Sequence, residues 1–171
     1  MGGVGRREER HNSGGALRQG DIGEVVMSEI VICKAEKVDH PAIMAIAKQH
    51  RCTKDFGSHM FSPDSAYEKG WIRVAVDWSR HDKPIVGFVC VRHKVRQPET
   101  SLYFMGVDPG YKRQGIAKLL LDDMKEQCPN PRIALNVDKQ NQPALDFWSA
   151  QGFVKTGEAL KGAGISMVLE W

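Results

Sequence analysis

The chain has 171 residues, 42% of them hydrophobic and 26% charged, a composition that excludes wholesale disorder, collagen-like repeats and a disulfide-rich toxin. Its 24 lysines and arginines against 21 acidic residues leave a formal net charge of +3, too little to indicate a dedicated nucleic-acid binder with a clustered basic face. No apolar run approaches the roughly 18 residues that a membrane helix needs.

Residues 1–26 hold seven glycines and four arginines, the latter balanced by Glu8, Glu9, Asp21 and Glu24. With few large apolar side chains they cannot offset the entropy of ordering, so a disordered leader is expected. It has no signal-peptide core. The domain is expected over residues 27–171, with Met27 a possible natural start. Ile30–Cys33 reads as a strand. Asp39 is placed to cap a helix with Pro41 in its first turn, and Ile43, Ile46, Ala47 and His50 carry its periodicity over residues 40–51. A loop around Phe56-Gly57 and a short helix from Ser62-Pro63 to Gly70 follow. Trp71–Val76, Ile85–Val95 and Thr100–Val107 read as strands, the last two a hairpin, with Gly87 a candidate bulge. Ile116, Leu119, Leu120 and Met124 mark an amphipathic helix stopped by Pro129 and Pro131. Ile133–Val137 is a strand. Asn141 caps a helix with Ala144, Leu145, Phe147 and Trp148 on its apolar side, and Gly152 ends it. Phe153–Thr156 and Ile165–Leu169 close the domain. The order β-α-α-β-β-β-α-β-α-β-β predicts an α/β (α+β) fold, a mixed, mostly antiparallel sheet of six to seven strands with helices on both faces.

Cys33, Cys52, Cys90 and Cys128 are 19, 38 and 38 residues apart with no CxxC, and the six histidines form no HxxxH or HExxH pair. The expectation is no metal site and four reduced thiols, hence a cytoplasmic protein.

The segment Val107-Asp108-Pro109-Gly110-Tyr111-Lys112-Arg113-Gln114-Gly115-Ile116-Ala117 runs from strand through turn into helix. The first N–H groups of a helix lack intrahelical partners and sit at its positive end, so they suit a phosphate. Gly115 lets a bulky anion reach the backbone, Ala117 stays small, and Lys112, Arg113 and Lys118 add charge. This is neither a P-loop nor a dinucleotide fingerprint. A tight turn with a solvated basic flank is the plain alternative. A second strand-to-helix turn, Val137 to Ala144, follows about 25 residues later and should lie at the same end of a neighbouring strand, where open sheets bind ligands.

Together these residues resemble the GNAT acetyltransferase superfamily. Val107 to Ala117 is similar to its acetyl-CoA signature, V-x-P-x-[YF]-[RQ]-x-x-G-[IL]-[GA], with Lys112 where arginine or glutamine is usual. Asn141-x-x-Ala144, then Phe147 and Gly152-Phe153, resembles its later N-x-x-A…F-Y-x-x-x-G-F block. The resemblance spans about residues 29–170 and implies acetyl-CoA as co-substrate. It implies that the backbone amides of Arg113, Gln114, Gly115, Ile116 and Ala117, next to Lys112, cradle the pyrophosphate. It implies that Met105 and Val107 pair with the pantetheine arm through their backbones, and that Asn141 binds the pantetheine or holds its turn.

Besides Lys112, two catalytic features depart from that pattern. Trp148 stands where the family often has a tyrosine to protonate the leaving thiolate; an indole N–H donates a hydrogen bond but not a proton. No acidic or histidine base precedes the signature. Strict alternation puts Ser101, Tyr103 and Met105 on one face of the strand and Leu102, Phe104 and Gly106 on the other. Tyr103 is then the titratable candidate, with Glu99 and His93 as alternatives acting through water. Tyr103 and Trp148 are therefore the catalytic candidates. The expected activity is transfer of acetyl from acetyl-CoA to a primary amine of a small molecule or peptide by direct attack. A non-catalytic CoA-binding or regulatory domain is the alternative. No nucleic-acid or membrane partner is expected, and the protein should be a monomer or homodimer. Asp55, Asp64 and Glu68 are candidates to hold a cationic amine.

Overall fold

The computed structural model describes residues 29–50, 63–93 and 98–171. The leader, Cys52, Asp55 and the loop around Phe56-Gly57 lie outside the described residues. In chain order the elements are β1 (Ile30–Lys34), α1 (His40–Gln49), α2 (Pro63–Lys69), β2 (Ile72–Asp77), β3 (Ile85–His93), β4 (Thr100–Val107), α3 (Ile116–Gln127), β5 (Arg132–Asp138), α4 (Gln142–Ala150), β6 (Val154–Ala159) and β7 (Gly164–Glu170). They build one sheet in the order β1-β2-β3-β4-β5-β7-β6. Each neighbouring pair is antiparallel except β4 and β5. The expected element order and the mixed α/β sheet are borne out. No helix among the described residues is long and apolar enough to cross a membrane. None of their His, Cys, Asp and Glu side chains gather in threes suited to a metal ion.

Two cores flank the sheet. On one face Ile43, Ile46 and Ala47 of α1 and Ala66 and Tyr67 of α2 pack on Ile72, Val74, Val76, Phe88 and Cys90. On the other, Ile116, Leu120, Leu121 and Met124 of α3 and Leu145 and Trp148 of α4 pack on Val89, Val91, Ile133, Leu135, Val137 and Met167. Burying a side chain of this size contributes about 1.5–3 kcal/mol. The stripe on α3 differs from expectation: Leu121 is buried, whereas Leu119 is 42% exposed. Asp39 does not cap α1 with its side chain. Its carboxylate turns back to accept from Glu36 N–H at 2.9 Å, closing a short 3-10 turn before the helix.

β3 meets two demands at Gly87. Its register with β2 shifts between Ala75 and Val76, so a bulge falls beside Gly87, as the glycine predicts. A Cβ on Gly87 would lie 3.2 Å from Ile116 and 3.3 Å from Leu120, so the glycine is what lets α3 lie close to the sheet.

Candidate active site

β4 and β5 pair only at Thr100–Ile133 and Ser101–Ala134. Beyond those residues no ladder joins them. The resulting cleft, about 210 Å³, is lined by Tyr103, Met105, Leu135, Asn136, Asn141 and Trp148 among others.

β4 is irregular where the cleft opens. Cys90 pairs with Phe104 and Val91 with Leu102, so Tyr103 is an extra residue without a partner on β3. This bulge overturns the strict alternation expected from the sequence. Leu102 packs with α3 and α4, and so do Met105 and Val107, while Phe104 packs against the α1 core. Asp108 N–H donates to Val86 on β3 at 2.8 Å. Peptide groups alternate along a strand, so those of Met105 and Val107 turn away from β3, toward the side that β5 has left. The Val107 carbonyl is already engaged: His50 at the end of α1 places Nε2 2.8 Å away. A carbonyl only accepts, so Nε2 carries the proton. On β4 this leaves the Val107 N–H and both peptide groups of Met105 as the strand-like contacts for a ligand arm.

The turn after β4 is braced from below. The Asp108 carboxylate accepts from Gly110 N–H at 2.8 Å. Tyr111 Oη donates to Asp77 Oδ2 at 2.9 Å, and Asp77 also accepts from Ser79 Oγ at 2.5 Å and Ser79 N–H at 3.0 Å. Asp77 is 3% exposed. The Ser79 hydroxyl first, and the Tyr111 phenol in addition, hold its carboxyl below the usual range against the opposing effect of burial. Burial and the Asp77 carboxylate push the Tyr111 phenol upward.

Above that brace Lys112, Arg113, Gln114 and Gly115 are exposed. Arg113 (φ 63°) and Gly115 (φ 77°) both adopt left-handed conformations, an arrangement that gathers backbone N–H groups toward one side. The first bond of α3 runs from Leu119 N–H to the Gly115 carbonyl at 3.0 Å, so the amides of Ile116, Ala117 and Lys118 have no intrahelical partner. A Cβ on Gly115 would meet nothing within 4 Å, so the approach to these amides is open. At the matching end of β5, Asn141 Oδ1 accepts from Ala144 N–H at 3.2 Å, so its acceptor arm holds the turn.

Tyr103 and Trp148 both line the cleft, which brings the two catalytic candidates together. Trp148 is 7% exposed, its ring held edge-on by Phe147 and Phe153 with centroids 4.9 and 5.1 Å away. The other two base candidates lie at the closed end of the strands. His93 Nδ1 is 2.8 Å from Thr100 Oγ1, and burial lowers its pKa. Glu99 meets Arg132 at 3.4 Å. Asp64 pairs with Lys37 at 3.1 Å, away from the cleft-lining residues.

Residues 43–169 match the model of the acetyltransferase (GNAT) domain. The chain belongs to the GNAT acetyltransferase family. It is an acetyl-CoA-dependent N-acetyltransferase. It is 44% identical over 143 residues to the 5-NmdU N-acetyltransferase of Pseudomonas phage PaMx11, covering 83% of this chain and 99% of the relative. It is 31% identical over 149 residues to the L-amino acid N-acetyltransferase AaaT of Escherichia coli strain K12, covering 80% of this chain and 90% of the relative. In fold, the acetyltransferase superposes with a TM-score of 0.62 on the PaiA N-acetyltransferase from Thermoplasma acidophilum in complex with coenzyme A, at 18% identity, covering 84% of this chain and 99% of that one.

Sequence reasoning missed the His50–Val107 tie, the Asp77 brace and the bulge at Tyr103. Only the brace had a signal: Asp77-Trp78-Ser79 has the spacing of a side chain that captures its own backbone two residues on. His50 was legible only as a helix position, and its partner is 57 residues away.

Proposed function

We propose that this acetyltransferase acetylates an amine carried on a pyrimidine nucleotide. The carrying observation is the 44% identity, across 99% of its length, to a phage enzyme whose named acceptor is 5-NmdU. This reading departs from the expectation that nucleic acid is no partner, because a modest net charge argues against a duplex-binding face but not against one nucleotide in a cleft. Supporting it is an acceptor side free of helices: α1 and α2 pack over β1 to β4, which leaves β5, β7 and β6 uncovered on that face among the described residues.

In this reading the CoA pyrophosphate rests on the amides of Arg113 to Ala117, with Lys112 and Arg113 screening its charge. The pantetheine runs along β4 as an added strand, meeting Met105 and the Val107 N–H, with Asn141 fixing the opposite turn. The acetyl thioester then lies in the cleft between β4 and β5. The acceptor amine attacks its carbonyl carbon, the tetrahedral oxyanion forms and collapses, and the coenzyme A thiolate leaves. Tyr103 at the bulge is the group that relays the proton from the attacking amine, its oxygen taking that proton as its own hydroxyl proton passes to solvent at the cleft mouth. Trp148 stabilises the thiolate by hydrogen bonding alone, sufficient for a leaving group whose ordinary pKa is about 8.5. The chemistry calls for no metal. In this reading residues 27–171 are the working domain and the protein acts as a monomer or homodimer, and the free thiols of Cys33, Cys90 and Cys128 support a cytoplasmic location.

The test is mass spectrometry of the products after incubation with acetyl-CoA. One arm supplies 5-aminomethyl-2′-deoxyuridine as nucleoside and 5′-phosphate, a second an oligonucleotide containing it, a third L-amino acids. A gain of one acetyl group on the deoxyuridine in either of the first two arms supports the reading and says which form is used. Acetylation confined to the amino acids refutes it.

A further inference from the structure

α3 and α4 fill one face of the sheet at the cleft with Leu135, Val137, Leu145 and Trp148. The acceptor therefore reaches the thioester from the opposite face. On that face β5 presents two exposed polar side chains that line the cleft, Asn136 and Asp138. The Asp138 carboxylate is drawn into the turn, accepting from Gln140 N–H at 2.8 Å. Asn136 is held differently. It stands directly opposite Ser166 on β7, and Ser166 Oγ donates to Asn136 Oδ1 at 2.9 Å. Ser166 is in turn tied to β6, where Thr156 Oγ1 donates to its carbonyl at 3.3 Å. An asparagine amide has one acceptor arm and one donor arm. Ser166 holds the acceptor oxygen toward β7, which leaves the Nδ2 donors as the arm for the cleft. Gly157, paired with Ser166 on the next strand, adds no side chain, and a Cβ there would meet nothing within 4 Å. The floor beside Asn136 is thus flat enough for a planar ring.

We propose that Asn136 selects the acceptor: its Nδ2–H group donates to the carbonyl oxygen next to the amine-bearing carbon, so the site takes a uracil-type ring and rejects a cytosine-type ring. The proposal rests on the pyrimidine reading above. At ring position 5 the neighbouring position 4 carries a carbonyl acceptor in uracil and an amino donor in cytosine. Once the bound ring covers Asn136, two donors facing each other leave both unpaired, and a site built around one hydrogen bond discriminates strongly against the group that cannot make it. Asn136→Asp replaces the donor arm with an acceptor and should reverse the preference.

The experiment compares kcat/KM for 5-aminomethyl-2′-deoxyuridine and 5-aminomethyl-2′-deoxycytidine in wild type, Asn136→Asp, Asn136→Ala and Ser166→Ala, with thermal melting and acetyl-CoA affinity as controls for folding. Wild type should favour the uridine on the order of 100-fold. Asn136→Asp should favour the cytidine, Asn136→Ala should level the two, and Ser166→Ala should erode the preference several-fold, with the change carried mainly in KM. If Asn136→Asp fails to fold, the Asn136→Ala ratio decides. A wild-type enzyme that turns over both nucleosides equally, or variants that keep the wild-type ratio, overturn this proposal and leave the pyrimidine reading standing. If only the 5′-phosphate or the oligonucleotide form is acetylated, the same ratios are read on that form, and a wild type that acetylates neither ring in any form overturns both.

Discussion

Single residues in this protein carry distinct parts of the site, and their substitution should separate those parts. Tyr111→Phe removes one of three hydrogen bonds to the buried Asp77 carboxylate. The expected cost is about 1–2 kcal/mol, with a raised KM for acetyl-CoA because the turn before Gly115 loses its brace. The sign of the pH effect follows from Asp77. Its folded-state pKa is depressed, so its stabilisation is complete above the ordinary carboxylate pKa of about 4 and is lost as pH falls through the lower folded value. Acid unfolding followed by circular dichroism should therefore be shallower in Tyr111→Phe, and an unchanged profile would contradict the brace. Tyr103→Phe addresses chemistry instead. It should lower kcat on the order of 10² or more while leaving acetyl-CoA affinity intact, the magnitude expected for a lost proton relay. Unchanged turnover would remove Tyr103 from the mechanism.

At the scale of elements, what matters is how α3 is fastened, because its N-terminus is the anion cradle. Apolar packing does most of this through Leu120 and its neighbours. An ion pair adds to it: Arg73 on β2 meets Asp123 on α3 with two hydrogen bonds, 2.7 and 2.8 Å, both side chains 17% exposed. Asp123→Asn should cost about 2–3 kcal/mol in a denaturant titration, since it leaves a half-buried guanidinium without its carboxylate. An apolar pair at both positions should recover much of that loss, and if it does not, the pair does more than hold the helix down. Elements were also where the sequence was most readable. Glycine, proline and asparagine punctuate this chain at nearly every boundary: Asn141 caps α4, and Gly152 (φ 92°) ends it. The strands themselves, and three of the four expected residues of the α3 stripe (Ile116, Leu120 and Met124), were readable from hydrophobic period. The faces of β4 were not, because the bulge at Tyr103 shifts the phase by one residue, and a bulge exists only in the pairing with β3, which the hydrophobic period of β4 does not report. Leu119 misled for a related reason: it has the right spacing from Ile116, but the sheet that α3 rests on favours Leu121.

In the whole molecule, function follows from two parallel strands that part company. Thr100 and Ser101 hold β4 to β5 at one end, and the two strand-to-helix turns stand apart at the other. The sequence placed both turns at one end of neighbouring strands, and that followed from chain order and the two motifs. The tie between His50 and Val107 was out of reach, because it joins residues whose proximity exists only once α1 packs on the sheet. A ligand bound across the two halves should couple them. At a hundredfold excess over its Kd, acetyl-CoA should add about 2.7 kcal/mol to folding stability, a melting shift of roughly 5–10 °C for a domain of this size. The cofactor reaches its amides through the open approach at Gly115, and calorimetric titration with acetyl-CoA of wild type and Gly115→Glu tests that approach. A carboxylate there would occupy and repel the pyrophosphate, so saturable binding in wild type should fall at least 100-fold in a variant that still melts cooperatively. Equal affinity in the two proteins would contradict the placement of the cofactor on the amides of Arg113 to Ala117.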